Sequence, residues 1–194
     1  MAPPRILFVR HGETDWNAEG RLQGQRDIPL NALGREQAGI AGRTLASLVP
    51  YVGDLDFVAS PLGRTRETME RLRATIGLAP DAYRLDDRLK EITFGSWEGL
   101  TLPEVRARDA NAAAERERRK WDYVPPEGES YAMLLERVRP VIEGLTRETV
   151  LVSHGGVARV LLAMLCNVAP RQATSLDIWQ GRVLVIKSGR FTWE

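Results

Sequence analysis

Histidine is scarce in this 194-residue chain, which holds only His11 and His154. Cysteine is scarcer. Cys166 stands alone, which excludes an intrachain disulfide, and its apolar setting "VLLAMLCNV" reads as a buried, inert thiol. No apolar run approaches the roughly 20 residues of a membrane span. The four-residue run "ILFV" near the N-terminus is too short for the apolar region of a secretory signal, so a cytoplasmic location is expected. One-signed charge is also lacking: a net charge of +1 sets up no field that would draw nucleic acid or a membrane surface, and neither is an expected partner. Lysine occurs only at Lys90, Lys120 and Lys187 among 27 basic residues, so an anion site here would be built from forked guanidinium groups.

What is present fits an ordinary globular protein, with 43% hydrophobic and 27% charged residues. The length exceeds the usual domain of roughly 150 residues only modestly, which predicts one domain over 1–194. Short runs rich in Val, Ile and Leu read as buried strands at 5–9, 55–60, 149–153 and 182–188, with "RFTWE" pairing back across Ser188-Gly189. Helical spacing marks 33–49, 60–76, 130–145 and 157–166. Ser60 is the expected cap of the second, with Pro61 at its first position. Thr101 and Glu104 have capping-box spacing, and Pro140 should kink or break its helix. The charged "AERERRKW" (114–121) reads as a solvated helix face. Strands alternating with helices predict an α/β fold with a mainly parallel sheet between helical layers.

In such sheets ligands bind beyond the carboxyl ends of the strands. Both histidines stand there, in "ILFVRHGETDWN" and "TVLVSHGGVARV", each followed by glycine, and Arg10 and Glu13 flank the first. Neutral imidazole is a competent nucleophile near neutral pH, and arginine grips phosphate oxygens in bidentate fashion. A cationic pocket around one nucleophilic imidazole suits phosphoryl transfer. A metal site built from His11, His154 and a carboxylate is the competing chemistry, and adjacent arginine argues against it.

The stretch "RHGETDWNAEGRLQG", then "DIPLNALGREQA", "SPLGRTRET" (60–68), "LKEITFGSWEG" (89–99), "PPEGES" (125–130) and "VSHGG" (152–156), resembles the histidine phosphatase superfamily, the phosphoglycerate mutase-like proteins. The resemblance implies a three-layer α/β/α sandwich on a mostly parallel sheet. It implies that His11 is the phosphorylated histidine, that Arg10 and Arg64 clamp the phosphate, and that His154 stabilises the transition state. Glu91 matches the acid that protonates the leaving oxygen and then activates water. Asn17, Gln23 and Gly24 match positions lining the phosphate or substrate pocket. Thr14, Gly155 and Arg66 are added as assisting contacts.

The activity implied is phosphomonoester hydrolysis on a small phosphorylated metabolite, without metal or other cofactor. The alternatives are a phosphoglycerate mutase, which alone would call on 2,3-bisphosphoglycerate, and a non-catalytic phosphate-binding module. Mutases of the family usually carry a longer chain and a Tyr-Gly pair shortly after the glutamate. Here Phe94-Gly95 follows Glu91 in a short segment, which favours the phosphatase. Residues 97–130 are expected to form a lid-like specificity segment, and the protein to be a monomer or homodimer.

Overall fold

A computed structural model describes residues 3–194. Six strands form one sheet: β1 (Ile6–Arg10), β2 (Asp56–Ala59), β3 (Arg84–Leu85), β4 (Thr149–Ser153), β5 (Leu184–Lys187) and β6 (Arg190–Trp193). Their spatial order is β3-β2-β4-β1-β5-β6. The first four run parallel, β5 pairs antiparallel with β1, and β6 pairs antiparallel with β5. The β5–β6 hairpin turns on Ser188 and Gly189, both at positive φ (51° and 76°), the conformation of the turn whose twist matches paired strands.

Successive residues of β1 and β4 alternate between two cores, which explains why their sequences are continuously apolar. Ile6, Phe8 and Leu151 face α6 (Tyr131–Glu143) and α7 (Gly155–Leu165). Leu7, Val9, Val150 and Val152 face α2 (Ala32–Leu48) and α3 (Gly63–Thr75). The result is an α/β/α sandwich. The remaining helices are short: α1 (Asp15–Ala18), α4 (Leu102–Arg108), α5 (Ala110–Arg118) and α8 (Pro170–Ala173). No helix among the described residues is long and apolar enough to cross a membrane.

Three local expectations are corrected. Ser60 does not cap α3. That helix starts at Gly63 after Leu62, and the Asp27 carboxylate, from a different segment, accepts from the Gly63 N–H at 2.9 Å. Pro140 does not break its helix, which runs through it over 131–143 with Gly144 as the C-cap. The charged face of α5 is not wholly solvated, because Arg116 is only 8% exposed. Strand β3 has no apolar run to announce it: both its residues are exposed, and it exists by pairing with β2. The capping box of Thr101 and Glu104 forms as its spacing predicts.

Candidate active site

The register of β1 on β4 brings the histidines together. Arg10 lies opposite Ser153, and the His11 N–H donates to the Ser153 carbonyl at 2.9 Å, so each histidine is the residue after its strand. Their ring centroids are 5.2 Å apart. Gly12 follows His11 where the chain passes against Gly34 of α2: a Cβ on Gly12 would stand 2.1 Å from the Gly34 carbonyl oxygen, so no side chain fits.

His11 is 3% exposed, and its Nδ1 lies 2.7 Å from the Gly12 carbonyl oxygen. A carbonyl only accepts, so Nδ1 carries the proton and Nε2 keeps its lone pair. Burial, then the charges of Arg64 and Arg10, hold the His11 pKa well below the usual histidine value. His154, fully buried, is lowered in the same sense by burial, then by Arg64, His11, Arg10 and Arg137. Its Nε2 is 2.8 Å from Ser60 Oγ, and its Nδ1 is buried without a partner among the described residues.

These depressed pKa values bear on stability. Below the unfolded-state value of about 6.5 the unfolded chain binds protons that the native histidines refuse, so stability falls as pH drops, by up to about 1.4 kcal/mol per pH unit for each histidine. The melting temperature therefore decreases from pH 7 to pH 5. Sulfate, whose charge is constant over that range, flattens the decline by occupying the cationic pocket. A flat profile without sulfate would count against buried neutral imidazoles.

Two arginines complete the cationic pocket, and neither has a carboxylate within hydrogen-bonding distance. Arg64 is 0% exposed; its Nη1 donates to Arg26 O at 2.6 Å and its Nη2 to Gly24 O at 2.8 Å. The nearest carboxylate oxygen to it is that of Asp27, 4.0 Å away. Arg10 donates through Nη1 to Ile178 O at 2.9 Å, and burial brings its pKa down to about 10, which leaves it charged at neutral pH. The Nε atoms of both arginines are buried and unpartnered.

Glu91 faces the start of α7, where Gly156 N donates to Oε1 at 3.0 Å and to Oε2 at 3.2 Å; Ile92 N also donates to Oε1. Arg137 of α6 clamps the segment carrying Glu91. It donates to the carbonyls of Arg88, Lys90 and Glu91 while holding a two-pronged ion pair with Glu129. Asn17 Oδ1 is occupied by Thr14 and by Gln180 Nε2, which leaves its Nδ2 as the free donor. Thr14, fully buried, caps α1. Gly24 adopts φ +55°, and a Cβ there would stand 1.8 Å from Glu98 Oε1.

A cavity of about 140 Å³ gathers Arg10, His11, Asn17, Gln23, Gly24, Arg64, Glu91 and Gly155. Arg66 is not brought there. It is exposed on α3. Arg21, Leu22, Phe94 and Arg159 also line the cavity, and sequence reasoning passed over them as site residues. Arg159 was the most findable, being one helical turn beyond Gly155. Trp97 and Trp16 do not line it: Trp97 is buried and stacks on Tyr123, and Trp16 packs over Gly99. A larger hollow of about 740 Å³ lies between α6, α7, Pro3 and Pro4, away from the strand ends and without a comparable convergence of cations and imidazoles.

Paired imidazoles, buried arginines and a carboxylate at the end of a parallel sheet define a phosphoryl-handling site. The chain belongs to the histidine phosphatase superfamily (branch 1), whose family model matches residues 6–194. It is 35% identical over 178 residues to glucosyl-3-phosphoglycerate phosphatase of Mycobacterium tuberculosis, covering 85% of this chain and 76% of that one. It is likewise 35% identical over 189 residues to a probable phosphoglycerate mutase of Escherichia coli, covering 95% and 81%. Among solved structures, the mycobacterial glucosyl-3-phosphoglycerate phosphatase in complex with VO3 superposes with a TM-score of 0.83 at 32% identity, covering 98% and 97% of the two chains. A putative alpha-ribazole-5'-P phosphatase of Escherichia coli gives 0.80 at 26%, covering 99% and 95%.

Proposed function

We propose that this protein is a phosphomonoester hydrolase acting through a phosphohistidine on a small phosphorylated metabolite. The observation that carries the reading is the tautomer of His11: Nδ1 is spent on the Gly12 carbonyl, and Nε2 keeps a lone pair beside two arginines with free Nε–H groups. In the first half-reaction His11 Nε2 attacks phosphorus and the P–O bond to the leaving alcohol breaks, Glu91 giving that oxygen its proton. In the second, Glu91 takes a proton from water, whose oxygen displaces His11 and releases inorganic phosphate. Arg10, Arg64 and His154 neutralise the charge on the transferring group, with Asn17, Gln23 and Gly24 shaping its surroundings. The guanidinium groups supply the charge that a metal supplies elsewhere, so no metal or organic cofactor is needed. Residues 97–130 serve as the specificity segment.

The mutase reading rests on the Escherichia coli relative. Phe94-Gly95 in place of the Tyr-Gly of typical mutases disfavours it. The test is inorganic phosphate release from an aryl phosphate in the presence of chelator. Sustained release supports the metal-free hydrolase. Activity lost to chelator and restored by a divalent cation would overturn it, and interconversion of phosphoglycerate isomers without phosphate release would establish the mutase.

A further inference from the structure

Glu91 lies on a segment that regular secondary structure does not hold. Asp87–Leu89 forms a single tight turn and residues 90–94 are irregular. Among the described residues, no backbone N–H reaches the carbonyls of Arg88, Leu89, Lys90 or Glu91. Side chains meet all four instead. Arg137 Nη1 donates to Arg88 O at 2.7 Å and to Lys90 O at 3.0 Å, and its Nη2 donates to Glu91 O at 3.3 Å. Ser153 Oγ, one residue before His154, donates to Leu89 O at 2.7 Å, and Gln25 Nε2 to Glu91 O at 3.1 Å. Backbone carbonyls withdrawn from water need donors, so these contacts decide where the segment runs.

Arg137 is the centre of this arrangement, with all three guanidinium nitrogens engaged. Its Nε and Nη2 also donate to the two carboxylate oxygens of Glu129, at 2.9 and 2.7 Å. Glu129 is itself tied to the same stretch of chain, because its backbone N–H donates to Thr93 O at 2.9 Å. Glu91 therefore stands between two points fixed to one ion pair. With its charge met by Glu129, Arg137 offers the reaction placement rather than a free cation. Placement matters at Glu91, since an acid must come within hydrogen-bond reach of the oxygen it protonates. An error of about 1 Å in such a group costs on the order of a hundredfold in rate. We propose that Arg137, braced by Glu129, is a positioning residue for proton transfer, holding the 88–91 backbone so that Glu91 meets the departing oxygen as the P–O bond breaks.

This rests on the phosphatase reading, and two esters separate the two claims. Benzyl phosphate would release a strongly basic alkoxide unless its oxygen is protonated, whereas 4-nitrophenyl phosphate releases a stable phenolate that needs little help. The value of kcat/KM covers binding and P–O cleavage, so its ratio for the two esters reads protonation of the leaving oxygen, and any general loss of activity cancels. Glu91→Gln, without the acid, should lower kcat/KM for benzyl phosphate by about a hundredfold or more, and for 4-nitrophenyl phosphate far less. Arg137→Lys, whose single nitrogen cannot reach three carbonyls and Glu129 at once, should show the same selectivity at about tenfold. Glu129→Gln should show it more weakly, and it decides the matter if the lysine variant does not fold. Adding Arg137→Lys to Glu91→Gln should leave the ratio of the single Glu91→Gln variant unchanged, because no acid remains to be misplaced. Equal losses on both esters, no loss on either, or a further change of ratio in the double variant would overturn the positioning role and leave the phosphatase standing. A wild type that hydrolyses neither ester would overturn the phosphatase reading, and the positioning role with it.

Discussion

Replacing His11 with alanine lowers phosphate release by at least about a thousandfold, because the variant loses the covalent route and keeps only binding and charge stabilisation. Uncatalysed attack by water on a phosphate held by two arginines is the residual reaction. The phosphoenzyme disappears with the activity. Brief mixing of wild type with a radiolabelled phosphomonoester followed by alkaline quench traps an alkali-stable, acid-labile label, and His11→Ala gives none. The fold is little disturbed: the His11 backbone N–H to Ser153 is kept, and the alanine fits where the Cβ already stands. A His11→Ala enzyme within tenfold of the wild type would show that another group is the nucleophile.

The second large effect is at Arg64, where even lysine fails. The Arg64 fork reaches two carbonyls at once, Gly24 O and Arg26 O, and still presents its Nε. Lysine has a single nitrogen and cannot both hold the 24–26 loop and meet a phosphoryl oxygen. Arg64→Lys should reduce kcat/KM by about a hundredfold to a thousandfold, the range for losing one preorganised donor to a developing anion. Because 24–26 flanks Gln23, pocket shape suffers with charge, and the loss falls on KM as well as on kcat. Steady-state kinetics on an aryl phosphate, with circular dichroism to confirm folding, decides it. A lysine variant with near-normal kcat/KM would mean that charge alone, without the fork, serves the site.

The contrast between legible and illegible features follows the range of the interaction that makes each one. Strands β1 and β4 could be read because burial on both faces leaves a continuous apolar run, and the histidines could be placed because they end those runs. Helices α2, α6 and α7 carry their apolar stripes in the local sequence. Strand β3 could not be read, since Arg84 and Leu85 are extended only because β2 lies beside them. Ser60 looked like a helix cap by every local rule. What displaced it was Asp27 at the helix start, and that freed the hydroxyl for His154. Arg116 was misread for the same reason. "ERERR" has the composition of a solvated face, and only the tertiary fold around α5 hides one of its arginines. The phosphate-handling groups were recognisable because chemistry restricts their type, whereas Arg159 needed the direction in which α7 presents its first turn.

The position of β1 within the sheet also governs how the protein is made. Ile6–Arg10 pairs with β4 at Thr149–Ser153 and β5 at Leu184–Lys187, both encoded far downstream. At about 5–20 residues per second of synthesis, that strand emerges from the ribosome on the order of ten seconds before its first partner exists. For that interval "ILFV" is an unpaired apolar edge of the kind that recruits other chains. Newly made protein should therefore depend on holding chaperones far more than its refolded native form does, and slowing translation should lower soluble yield.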